Sequence, residues 1–182
     1  MGKETKYRNI PFDNENEAKW AVFYDTIGFE WEYQPKSFAN GDKTYEPTFL
    51  LTFPNGQKCY CDVKSEDYDF REDLNLGLYR EFVNATQTQF LLLQGQPQFV
   101  VYELITPYMN ENTLSPVFFM DYKPYLKGVD EYWLQRFHFN RRDGRLYFMH
   151  AALAAEKSFG KKYVEAVRTA QLAKFESEGE QR

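Results

Sequence analysis

Soft metal ligands are scarce in this sequence, which has two cysteines, Cys59 and Cys61, and two histidines, His138 and His150. The cysteines stand two apart and point the same way on a strand, an arrangement suited to buried thiols and not to a disulfide. No His/Cys set completes a zinc ligand group around them. Neither histidine has an Asp or His at ligand or triad spacing, so both read as structural. A glycine loop for phosphates, a nucleophile elbow and a triad order are also missing, which leaves small-molecule enzymes of those classes without support. No apolar run approaches the roughly 20 residues that span a bilayer. The first residues, Met1-Gly2-Lys3-Glu4-Thr5-Lys6, are charged with no apolar stretch behind them, so a cytoplasmic protein is expected.

Rings and charge are abundant. Aromatic residues make up 19% of the 182 residues, with 17 Phe and 14 Tyr. Such a load reads first as a core built on rings, and second as a set of base-stacking platforms. The net charge of −5 is uneven: residues 1–122 carry 10 Lys/Arg and 19 Asp/Glu, and residues 123–182 carry 12 and 8. An acidic first part and a basic last part allow a basic face beside an acidic pocket.

The pattern predicts a helix from Asn14 to Ile27, with Asn14 as N-cap, Glu17 completing a capping box and Gly28 ending the element. Phe29–Tyr33 alternates as a short strand, and residues 40–43 read as a turn. Tyr45–Phe53, broken at Pro47, and Lys58–Lys64 form a hairpin across Pro54-Asn55-Gly56. Acids at 66–73 open a second helix reaching Asn84. Strands follow at Gln89–Leu93, Phe99–Ile105 and Val117–Asp121. Trp133–Asn140 and Arg145–Met149 form a hairpin around Asp143-Gly144, and helices cover 151–157 and 161–178. The fold class is α/β or α+β, a mixed central sheet flanked by helices. The expected divisions are a loose leader over 1–12, a core over 13–105, and an extension over 106–182 whose hairpin and helices pack on the core.

Asp62 and Lys64 are two apart, hence on one strand face, while Cys59, Cys61 and Val63 take the buried face. By itself this spacing reads as a surface ion pair worth about 0–1 kcal/mol. The surrounding order changes the reading. Glu17 in a first helix, then Tyr45-Glu46-Pro47-Thr48-Phe49, then Asp62-Val63-Lys64, then helix and strand, resembles the PD-(D/E)XK nuclease superfamily. Glu17-Ala18-Lys19-Trp20-Ala21-Val22-Phe23 with Trp31-Glu32-Tyr33-Gln34-Pro35 is similar to small phage and bacterial proteins of that group, and Ala166–Glu176 looks like their last helix. The resemblance covers 15–95 well and 163–176 in part.

This resemblance implies a restriction-endonuclease-like core in a bacterial or phage-infected cell, and a nuclease acting on DNA phosphodiesters. Mg²⁺ or Mn²⁺ would be held by Asp62 with Glu46 and Thr48, with Glu17 as a further carboxylate and Lys64 steadying charge. Thr48 departs from the pattern, which has an aspartate there. Glu46 stands two residues earlier and is the candidate to supply the missing charge. Arg136, Arg141, Arg142, Arg145, Lys161 and Lys162 are candidates to hold a nucleic-acid backbone, or form a solvated face. The alternative is a catalytically silent, phage-type binding or inhibitor protein on the same fold. It would engage a host protein or nucleoprotein through the acidic stretch Glu66–Asp73.

Overall fold

The computed structural model describes residues 5–40, 43–53, 56, 58–68, 76–98, 102–105, 115–117, 119–121, 132–134, 137–140, 145–148 and 161–175. The first helix forms between the two caps expected of it. Asn14 is extended (φ −154°, ψ 167°) and its side chain accepts from the Glu17 N–H at 3.1 Å. Helix α1 (Glu15–Ile27) ends at Gly28, which adopts φ 90° and donates its N–H to the Tyr24 carbonyl. Ala18, Trp20, Ala21, Val22, Phe23, Tyr24 and Ile27 are all buried, so apolar residues reach well around the helix. A helix so apolar requires cover on more than one side.

The main sheet supplies one side. Its six strands run in the order β10 (Ser115–Val117), β9 (Tyr102–Ile105), β8 (Gln89–Gln94), β7 (Lys58–Lys64), β6 (Phe49–Thr52) and β3 (Glu30–Tyr33). β3, β6 and β7 form an antiparallel meander, with Phe49 opposite both Tyr33 and Cys61. β7 and β8 are parallel, with Asp62 opposite Leu92, and helix α2 (Leu76–Thr86) makes the connection such a pair requires. The remaining ladders are antiparallel. Helix α3 (Lys161–Leu172) covers α1 from another side and brings Ala166, Val167 and Ala170 into the same core.

Alternation along β7 divides the interior. Cys59 and Cys61, with Phe49, Leu51, Leu91 and Leu93, join the core around α1 and α3. Burial, together with neighbouring Cys59, pushes the Cys61 thiol well above its usual pKa. Tyr60 points the other way, into a second cluster of Tyr79, Phe82, Val83, Phe90 and Leu92. Phe38 and Tyr45 cap that cluster from a hairpin of β4 (Phe38–Asn40) and β5 (Lys43–Tyr45) inserted between β3 and β6. Most of the described aromatic rings therefore pack against one another, as a ring-based core requires.

Several elements differ from the sequence expectation. Residues 5–12 are not a loose leader: β1 (Thr5–Tyr7) pairs with β2 (Ile10–Phe12), turning through Arg8 (φ 50°) and Asn9 (φ 62°). Phe12 is 1% exposed, and its ring lies tilted against that of Tyr33 with centroids 4.4 Å apart. The described part of the acidic stretch, Glu66–Tyr68, is a turn and not a helix start. Gln94 Nε2 donates to the carbonyls of Glu66 and Tyr68 at 2.7 and 3.0 Å, holding those carbonyls away from helical partners. The expected strand at 117–121 divides between β10 and β11 (Phe119–Asp121). The expected strand at 133–140 divides between β12 (Tyr132–Leu134) and β13 (Phe137–Asn140). β11 pairs with β12, and β13 pairs with β14 (Arg145–Phe148) in the expected hairpin, Asn140 opposite Arg145. The helix expected at 151–157 lies outside the described residues. No helix is long and apolar enough to cross a membrane among the described residues.

Candidate functional site

Asp62 lies near the C-terminal end of β7, 8% exposed, on the face that carries the second aromatic cluster. Thr48 immediately precedes β6, also 8% exposed, and its hydroxyl donates to Asp62 Oδ1 at 2.8 Å. The Val63 N–H donates in turn to Thr48 Oγ1 at 3.2 Å, so this threonine is fixed from both sides. The Tyr45 hydroxyl, arriving from the β4–β5 hairpin, donates to Asp62 Oδ2 at 2.8 Å. Lys64 Nζ lies 2.5 Å from the same Oδ2. The ammonium also stands 5.4 Å from the ring centroids of both Tyr68 and Tyr79.

The cluster therefore has one carboxylate, one ammonium and two hydroxyls, with a donor on each oxygen of Asp62. Its Asp62 and Lys64 side chains are 11% and 20% exposed, which removes it from the class of surface ion pairs. Tyr45→Phe keeps the ring packed against Tyr79, Phe82 and Phe90. Because it deletes only the phenolic donor, it should cost about 1 kcal/mol in urea unfolding. A change below the error of that measurement would mean that this hydrogen bond contributes nothing.

Glu17 is 7% exposed and belongs to a separate network. Asn14 Nδ2 donates to its Oε1 at 2.9 Å, while the Tyr33 hydroxyl and the Asp13 N–H reach Oε2 at 2.7 and 3.3 Å. Burial raises the Glu17 pKa above its ordinary 4.5, the Tyr33 hydrogen bond opposes that rise, and the Asp13 charge adds to it. Burial and the Glu17 hydrogen bond also push the Tyr33 phenol upward. A carboxyl with a raised folded pKa contributes stability that is fully present below its unfolded value and lost as pH rises through the folded value. Wild type should therefore lose stability relative to Glu17→Gln as pH climbs above about 4.5. Urea unfolding of both proteins at several pH values measures this; parallel curves would contradict the assignment.

The structure thus brings Thr48, Asp62 and Lys64 together, places Glu17 among Asn14, Tyr33 and Asp13, and leaves Glu46 exposed between β5 and β6. Tyr45 and Tyr33 are the contributors that sequence spacing did not disclose. Arg145 begins β14, and Lys161 and Lys162 begin α3; Arg136, Arg141 and Arg142 lie outside the described residues.

The donor set provides a test of fit for a divalent cation. Mg²⁺ takes hard, largely anionic oxygens in near-octahedral geometry. Here a single carboxylate already accepts from Tyr45, Thr48 and Lys64. No group of three or more His, Cys, Asp or Glu side chains gathers to hold a metal among the described residues. The residues around Asp62 do not fit a carboxylate cage. No model of a known family, no curated protein and no solved structure matches the chain.

Proposed function

We propose that this chain is a binding protein on a PD-(D/E)XK-like fold whose former cutting edge is a closed polar cluster. The observation that carries the reading is the occupancy of Asp62: hydroxyl donors on both oxygens and an ammonium on one. Thr48 supplies a neutral hydroxyl where metal-assisted cleavage needs a second negative charge. The fold half of the proposal is supported by the succession α1, β3, β6, β7, α2, β8, with the first three strands antiparallel and the last parallel to β7. Its partners are a protein or nucleoprotein with basic surface, met through the acidic stretch that begins with exposed Glu66 and Asp67, or a nucleic-acid backbone met through the basic C-terminal residues.

The second reading is a Mg²⁺- or Mn²⁺-dependent nuclease acting on DNA. It is favoured by the direct contact of Asp62 with Lys64 beside the strand start that carries Thr48. Incubation of the full chain with single- and double-stranded DNA in Mg²⁺ and in Mn²⁺ separates the two. The first reading predicts no cleavage above that of Asp62→Asn. Cleavage that disappears with Asp62→Asn would overturn it in favour of the nuclease.

A further inference from the structure

A cleft of about 960 Å³ opens beside the Asp62 cluster. Its lining comes from five places: Thr5 of β1, the first turns of α1, the end of β7 and the residues leaving it, Gln96 after β8, and the segment after α3. The cleft therefore lies outside the carboxyl ends of the parallel strands β7 and β8, where open sheets with helical crossovers characteristically receive ligands. Its volume is that of a small-molecule site.

Three lysines line it: Lys19, Lys64 and Lys174. The Lys19 side chain is 13% exposed, so its ammonium has given up much of its water. It is bonded to Gln96 Oε1 at 3.0 Å and to Glu15 at 2.8 Å. Glu15 is 61% exposed, and a carboxylate so hydrated holds its partner weakly and is readily exchanged for another anion. The other acid of the lining, Glu66, is exposed. The opening turn of α1 contributes Asn14, Glu15 and Asn16, and the positive end of a 13-residue helix favours an anion there. Phe175, Val63 and Ala173 add an apolar share with one aromatic ring. A half-buried ammonium at Lys19, an exposed one at Lys174, a helix start, side-chain amides and a ring in one cleft match a ligand that has a phosphate at one end and a flat apolar body at the other.

We infer that this cleft binds a phosphate monoester of nucleotide size, without a divalent metal, through Lys19, Lys174 and the start of α1. The inference deepens the non-cleaving reading by assigning a ligand class to the region beside Asp62. Equilibrium dialysis of the full chain in EDTA tests it, with thymidine 5′-monophosphate, thymidine and inorganic phosphate as probes. The monophosphate should bind saturably; thymidine, which lacks the charge-assisted contacts, and inorganic phosphate, which lacks the buried apolar body, should each bind at least about tenfold weaker. Lys19→Met and Lys174→Met should each weaken the monophosphate about tenfold; Lys174 is exposed, so its variant remains informative if the first folds poorly. Absence of binding, equal binding of all three probes, or full affinity in a folded Lys174→Met and Lys19→Met pair overturns the inference. Asp62-dependent DNA cleavage would overturn the non-cleaving reading alone, because these titrations contain no metal and keep Asp62 intact.

Discussion

Asp62→Ala should destabilise the chain by about 3–5 kcal/mol, the cost of removing one partner from a buried ion pair. The substitution leaves the Lys64 ammonium between Tyr68 and Tyr79 with no carboxylate, and removes the acceptor used by the Tyr45 and Thr48 hydroxyls. Each orphaned donor adds its own desolvation penalty. The nuclease reading alone anticipates a substitution that removes activity and leaves the fold intact. The observed packing makes Asp62 a structural hub as well. Lys64→Met combined with Asp62→Ala should recover part of the loss, since the uncompensated charge is then gone. Urea unfolding of the wild type, both single variants and the double variant gives the coupling. A loss below about 1 kcal/mol for Asp62→Ala would return the pair to the class of exposed salt bridges.

Phe12→Ala should cost about 3–5 kcal/mol, as expected for a large ring removed from a core that cannot fully collapse. Phe12 is 1% exposed, with Tyr33 at 4.4 Å, Trp31 at 6.1 Å and Phe49 at 6.2 Å between ring centroids. The hairpin that carries it is tied down elsewhere by the Tyr7 hydroxyl on Asp25 at 2.7 Å and by Arg8 on the same carboxylate at 3.1 Å. Deleting residues 1–12 should therefore be at least as damaging as Phe12→Ala. If the truncated chain melted with the wild type, the N-terminal hairpin would be an appendage and not part of the core.

Local signals in the sequence were sufficient where structure is decided locally. Asn14, Glu17 and Gly28 mark both ends of α1, because capping is chemistry within one turn. The alternation of Lys58–Lys64 marks β7 and separates its two faces, but it conceals that the face of Tyr60 and Asp62 is covered as well as the cysteine face. The β1–β2 hairpin was illegible for the opposite reason. Its strands have three residues each, too few for a period, and its turn uses left-handed Arg8 and Asn9 with no glycine. Acids at 66–73 suggest a helix start by composition, yet Gln94, more than twenty residues away, fixes a turn at Glu66–Tyr68. The candidate site divides in the same way. The adjacency of Asp62 and Lys64 follows from strand spacing. Tyr45 on Asp62 does not, because β5 belongs to a separate two-stranded sheet and no spacing rule links it to β7. Tyr33 on Glu17 joins a strand to a helix and escapes sequence reading for the same cause.

The most direct test of the closed cluster is calorimetric titration of Mn²⁺ into the wild type and into Asp62→Asn, which keeps the side-chain shape and removes the charge. A closed cluster predicts the same small, non-saturating heats in both proteins. One-site Mn²⁺ binding in the wild type that vanishes in Asp62→Asn would contradict it and show that Asp62 is a metal ligand.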